Sequence, residues 1–184
     1  MTVDEFLAWS GDGTRTRYEL VDGELRAQDA QSDAHGRMHA NIGYALTGHL
    51  RSHRPSCSVA IGAGVRPRML SDWNFRIPDL AVTCSPNLPG ARDVPDPVLL
   101  IEIISAGNSA ETWDNVRNYI SLPSVQEIVL FEAFAIKAYV MTRDAAGAWP
   151  KNPTEVVRGG MVQFVSIGLD MTINDAYRGT HMAG

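Results

Sequence analysis

Asp79 and Glu102 each place a carboxylate inside a run that reads as a buried strand, "FRIPDLAVTC" (75–84) and "PVLLIEIIS" (97–105). Asp79 precedes Leu80, Ala81 and Val82, and Glu102 is the only charge among Leu99, Leu100, Ile101, Ile103 and Ile104. A carboxylate removed from water is protonated, paired or bound to a metal, because leaving it bare is expensive. Two acids that meet on one side of a sheet repel each other, and a cation must offset the repulsion. Either Arg76 supplies it as a strand-edge ion pair, or a divalent ion does. Hard oxygen ligands without cysteine or a histidine cluster select Mg²⁺ or Mn²⁺ over Zn²⁺.

The elements that must hold these acids follow from periodicity. "MTVDEFLAWS" predicts a short amphipathic helix, and "RYELVDGELRAQ" predicts a hairpin turning at Asp22-Gly23. Met38, Ile42, Ala45, Leu46 and Leu50 recur at helical spacing, with Ser32 or Asp33 as N-cap. "SVAIGAGVRPR", "RIPDLAVTC" and "PVLLIEIIS" predict three strands, and "NSAETWDNVRNYISL" a helix stopped by Pro123. "QEIVLFEAFAIKAYVMTRD" predicts two more strands, "AAGAWPKNPTEVVRGG" a polar loop, and "VQFVSIGLDMTINDAY" a strand with a short helical end. Strands interrupted by helices imply a mixed sheet in an α/β or α+β architecture. The chain reads as one domain over 1–184, with an N-terminal helix and hairpin (1–30), a core (33–135) and C-terminal strands and loop (136–184).

Composition narrows the classes. At 45% hydrophobic and 20% charged, 184 residues suffice for a real core. The longest apolar runs each contain an acid and are too short to span a bilayer, and no secretion signal is expected at the N-terminus. Cys57 and Cys84 lack ligand spacing and read as buried, reduced thiols of a cytoplasmic protein. A net charge of -5 excludes a generic electrostatic grip on nucleic acid. Between Arg51 and Asp79, however, five arginines face two acids. That is either a solvated face or a phosphate-facing patch, for which Arg66, Arg68 and Arg76 are the candidates.

"RIPDLAVTC", "DVPDPVLLIEIIS", the helix and "YISLPSVQEIVLF" resemble the Uma-two family of restriction endonuclease-like proteins, within the PD-(D/E)xK nuclease superfamily. The likeness extends to "YELVDGEL", the His35 region, "GAGVRPR" and the Trp149 loop. It implies a restriction endonuclease-like mixed sheet flanked by helices, with one or two Mg²⁺ ions held by the strand acids against a DNA phosphodiester. By that resemblance Asp79 and Glu102 are metal ligands, with the Ile103 carbonyl a third oxygen. Homodimerisation follows from superfamily habit. The superfamily lysine would fall at Ile104, two residues after the acid, and many relatives place it on the next helix, four residues before a tyrosine. Counting back from Tyr119 gives Asn115, which carries no charge. Asn115 either positions water by hydrogen bonding or is an ordinary helix residue. Arg117 is the nearest basic group in sequence; its high pKa bars proton transfer but leaves charge stabilisation open.

Four accessory readings remain. His35 is either a helix-end histidine or an approach to the site. Glu19 either enters from the side or pairs with Arg15 or Arg17. Glu111 is either a second acid near the metal or a helix N-terminal acid. His39, His49 and His53 are expected on the surface. Two functions fit: a metal-dependent endonuclease acting on DNA, and a non-catalytic relative that keeps the fold as a binding or assembly module. A sugar- or nucleotide-binding enzyme is a third class that no spacing favours.

Overall fold

A computed structural model describes residues 1–183. A six-stranded sheet runs in the order β3 (Ser58–Ile61), β4 (Leu80–Thr83), β5 (Pro97–Ile104), β6 (Glu127–Glu132), β7 (Lys137–Thr142) and β8 (Thr154–Val157). Every neighbouring pair is antiparallel except β5 and β6. A parallel pair needs a crossover, and α3 (Ser109–Tyr119) supplies it. α2 (Asp33–His53) is capped by the Ser32 side chain, which accepts the His35 N–H.

β5 is buried on both faces, so its alternation sorts residues into two cores. Leu99, Ile101 and Ile103 pack with Met38, Ile42, Leu46 and Leu50 of α2. Leu100 and Ile104 pack with Val116 and Tyr119 of α3, together with Ala81 of β4. Glu102 has the parity of Leu100 and Ile104, so it belongs to the α3 face. Asp79 lies just before β4, at the edge of the sheet, and its carboxylate meets His35 of α2 and the Ile103 N–H of β5. Sequence periodicity alone does not state this.

The N-terminal α1 (Val3–Ala8) and the hairpin of β1 (Tyr18–Val21) and β2 (Glu24–Ala27) form a separate small cluster around Val3, Leu20 and Phe75. Asp22 and Gly23 both have positive φ, 50° and 86°, as a two-residue hairpin turn of this type requires. The Phe75 ring packs against Gly64, where an added Cβ would lie 2.0 Å from a ring carbon. That glycine lets the hairpin-side cluster close on the sheet.

Four expectations fail here. The loop after Ala145 contains β8, and the last segment is a hairpin of β9 (Met161–Phe164) and β10 (Leu169–Thr172) before α4 (Ile173–Ala176). Short strands of mixed polarity carry little periodic signal, and tertiary pairing decides them. "GAGVRPR" is irregular apart from isolated bridges at Gly64 and Val65, so Arg66 and Arg68 do not share a strand face. The cysteines are also different from expectation: Cys57 and Cys84 form a disulfide, and Cys84 is exposed. Ser58 pairs with Thr83 at the end of the β3–β4 ladder, so the next residues out, Cys57 and Cys84, are brought opposite each other. The thiol argument for a reducing compartment therefore falls. No helix among the described residues is long and apolar enough to cross a membrane.

Candidate active site

A cleft of about 650 Å³ opens where the N-terminal hairpin, the start of α2, the β4–β5 junction and the first turns of α3 meet. Asp79 and Glu102 both line it. The last ladder pair is Leu80 with Ile101, so Asp79 sits one step further out, beside Glu102. The Ile103 N–H donates to Asp79 Oδ2 at 2.7 Å, which fastens the Asp79 side chain to β5.

Asp79 is also the point where α2 arrives. His35 Nε2 lies 2.9 Å from Asp79 Oδ1, and Gln31 Nε2 donates to the same oxygen at 3.2 Å. His39 Nε2 lies 2.8 Å from the Asp79 carbonyl oxygen. A carbonyl only accepts, so His39 carries its proton on Nε2 and keeps a lone pair on Nδ1. One ligand-type atom from each of His35, His39 and Asp79 lies within 4.8 Å of the others.

Glu102 has a different environment. Tyr119 OH donates to its Oε1 at 2.6 Å and Asn115 Nδ2 at 3.3 Å. Burial pushes the Glu102 carboxyl well above the usual carboxylate range; the Asp79 charge raises it further, the Tyr119 bond opposes this, and Glu19 adds to it. Burial likewise raises Glu19, against the Ile77 N–H and the charges of Arg76 and Arg26. Glu127 is a useful contrast. It is fully buried on β6, but Thr142, Val165 and Ser166 all donate to it, so it holds the fold together. Glu102 and Glu19 each keep one carboxylate oxygen without a hydrogen bond among the described residues.

The donor set fits a divalent cation. Glu19, Asp79 and Glu102 line one cleft, Glu19 and Glu102 are pushed toward protonation by burial, and among the described residues the donors within 4.8 Å of one another are Asp79, His35 and His39, without Glu102 or Glu19. The histidines change the chemistry expected from acids alone. Carboxylate oxygens suit Mg²⁺, whereas imidazole donors suit borderline transition ions.

The family model for Uma2, described as "Putative restriction endonuclease", matches residues 3–173. This chain belongs to the Uma2 family. A solved structure titled as that of "a putative nuclease belonging to DUF820" from Anabaena variabilis is 15% identical to this Uma2 chain. The two superpose with a TM-score of 0.78, covering 96% of this chain and 97% of that one. At that identity the likeness establishes the fold, a mixed sheet flanked by helices. No curated protein matches the chain.

The remaining candidates of this Uma2 chain divide sharply. Glu19, His35, Ile103, Glu111 and Asn115 line the cleft with Asp79 and Glu102, Glu111 being exposed. Glu19 accepts from Ile77 N–H and Gln28 rather than pairing with Arg15 or Arg17. The contact made by Ile103 is its N–H to Asp79. Arg117 is exposed and stays outside the cleft lining, because two residues along a helix from Asn115 is nearly the opposite side. Arg66 reaches Asp4 at 3.3 Å beside a different, smaller hollow. Arg68 is exposed away from the cleft, its backbone N–H bonded to Ser121. Arg76 is 1% exposed and turned inward, so it presents no surface to a phosphate. It donates to Asn115 Oδ1 at 3.1 Å and to Asp114 Oδ2 at 3.3 Å.

Sequence reading missed His39, Tyr119 and the cleft-lining Arg15, Arg17 and Arg26. The i, i+4 spacing of His35 and His39 was the available signal for the first. Tyr119 read only as an apolar helix position, and no local pattern separates a core tyrosine from one whose hydroxyl meets a buried acid.

Proposed function

We propose that this chain is a divalent-metal-dependent endonuclease that hydrolyses DNA phosphodiester bonds in the cleft between the hairpin and α3. The observation that carries the reading is the juxtaposition of Asp79 and Glu102 in one cleft, with Glu102 held at raised pKa by burial and by the Asp79 charge. Family membership supports the reaction class.

Asp79 and Glu102 would hold the ion, with His35 and His39 as the donors grouped with Asp79 and Glu19 lining the same cleft. Imidazole at the edge favours Mn²⁺ over Mg²⁺. When bound, the ion lowers the pKa of water and neutralises charge developing on the phosphate. The chain's own residues orient the ligands. Tyr119 and Asn115 both donate to Glu102 Oε1, which leaves Oε2 without a hydrogen bond among the described residues. The Ile103 N–H fixes Asp79. Asn115 has one amide hydrogen left to orient water, since Arg76 occupies its oxygen. With no lysine at 104 or 115, proton transfer lacks a tuned base and turnover is slow. Cutting both strands of a duplex requires two such clefts, which a homodimer would bring.

The test is cleavage of plasmid and oligonucleotide DNA with Mn²⁺, Mg²⁺ or EDTA. Nicking that needs the ion and disappears in Asp79→Asn and Glu102→Gln supports the reading. Cleavage indifferent to EDTA or to both substitutions removes it. An absence of both cleavage and ion binding favours the non-catalytic module.

A further inference from the structure

The cations expected to hold phosphate, Arg66, Arg68 and Arg76, are absent from the cleft lining. Three others are present: Arg15, Arg17 and Arg26 of the N-terminal hairpin. Their position follows from strand geometry. Glu19 is paired with Arg26 across the hairpin, and the Gln28 N–H donates to the Arg17 carbonyl, which extends the ladder by one step. Residues 17 and 19 share one face of β1 and its lead-in, and the residues opposite them, 28 and 26, share that face too. The face that delivers Glu19 to the acids therefore also delivers two arginines.

None of the three forms an ion pair among the described residues. Arg17 is braced by a bond to the Gly62 carbonyl oxygen at 2.8 Å. Arg26 carries a buried nitrogen, NH1, with no hydrogen-bond partner. Guanidinium nitrogens are obligate donors, and a buried one on a residue that lines the cleft lacks only an acceptor. The same cleft is lined by Asn108 and by Thr112 and Asn115 of α3, together with the acids.

We propose that the β1–β2 hairpin is a phosphate clamp: Arg15, Arg17 and Arg26 hold the backbone phosphates that flank the one lying over the acids. This rests on the nuclease reading and assigns the substrate grip to the hairpin rather than to the arginine-rich segment between Arg51 and Arg76. An acidic chain then needs no broad basic surface. A phosphate reaching Asp79 and Glu102 passes the three hairpin arginines, among which Asp29 also lines the cleft, and the arginines orient the strand.

The test is anisotropy of fluorescein-labelled DNA oligonucleotides across a salt series in EDTA, so that affinity reads the arginines rather than the ion. Each phosphate contact contributes about 0.9 to the slope of log affinity against log salt on duplex DNA. The Arg15→Gln/Arg17→Gln/Arg26→Gln variant should bind at least about tenfold more weakly at low salt, with the slope reduced by about 2 to 3. Arg66→Gln/Arg68→Gln should change affinity by less than about twofold. Arg26→Lys, which keeps the charge, should retain more affinity than Arg26→Gln. If circular dichroism shows the triple variant unfolded, Arg15→Gln decides alone, because Arg15 is exposed; its slope should drop by about one. An unchanged slope, a larger loss in the Arg66/Arg68 variant, or cleavage with metal but no binding in EDTA each overturns the clamp while leaving the nuclease reading standing. Wild-type protein that neither binds nor cleaves DNA overturns both.

Discussion

The Arg76 guanidinium donates to Asn115 Oδ1 at 3.1 Å, and this turns the Asn115 amide nitrogen toward Glu102. A guanidinium has no acceptor, so only the amide oxygen can face it. The position where relatives are expected to carry a lysine is thus filled by a neutral relay, with the positive charge displaced onto a buried arginine.

Asn115→Lys should therefore destabilise the fold by about 1–3 kcal/mol, since Arg76 loses its acceptor and gains a like charge. Pairing it with Arg76→Gln should recover most of the loss. Denaturant melts of both singles and the double give the coupling directly, and additive losses would show that the two side chains do not interact.

Metal should stabilise the protein, and Mn²⁺ more than Mg²⁺ at equal concentration. An ion at about a hundred times its Kd adds about 2.7 kcal/mol, roughly 5–10 °C in a chain of this size. His35→Ala and His39→Ala should bring the Mn²⁺ shift down toward the Mg²⁺ shift. Equal shifts for both ions in wild-type protein would return the site to oxygen donors alone.

Without metal, pH should act through Glu102. Its folded pKa lies above the ordinary value of 4.5, so the folded state binds the extra proton. That contribution is fully present below about 4.5 and is lost as pH rises toward the folded value. Urea midpoints in EDTA should fall with rising pH over this window, and Glu102→Gln should flatten the fall. A slope untouched by the substitution would place its origin elsewhere.

The Cys57–Cys84 disulfide closes a loop across a separation of 27 residues. By chain entropy its removal should cost about 3.5 kcal/mol. Thiol titration of unfolded protein should find no free thiol before reduction and two after. Two free thiols in freshly purified, unreduced protein would contradict the bond.

The sequence alone determined the helix–strand order as far as β7, the hairpin at Asp22-Gly23, and Asp79 and Glu102 as charges in apolar runs. Those features are local: they depend on periodicity, turn chemistry and a single out-of-place residue type. Tertiary structure decided everything that depends on register. The β4–β5 ladder set Asp79 beside Glu102, and the β3–β4 ladder set Cys57 opposite Cys84. The approach of α2 brought His39 to the Asp79 carbonyl. Arg76 lies three residues from Asp79 and looked like a surface cation, yet its side chain is buried against α3. Sequence distance says nothing about which face of the backbone a side chain leaves from. In a strand that face reverses with every residue, so which charges meet is settled only when the strands pair.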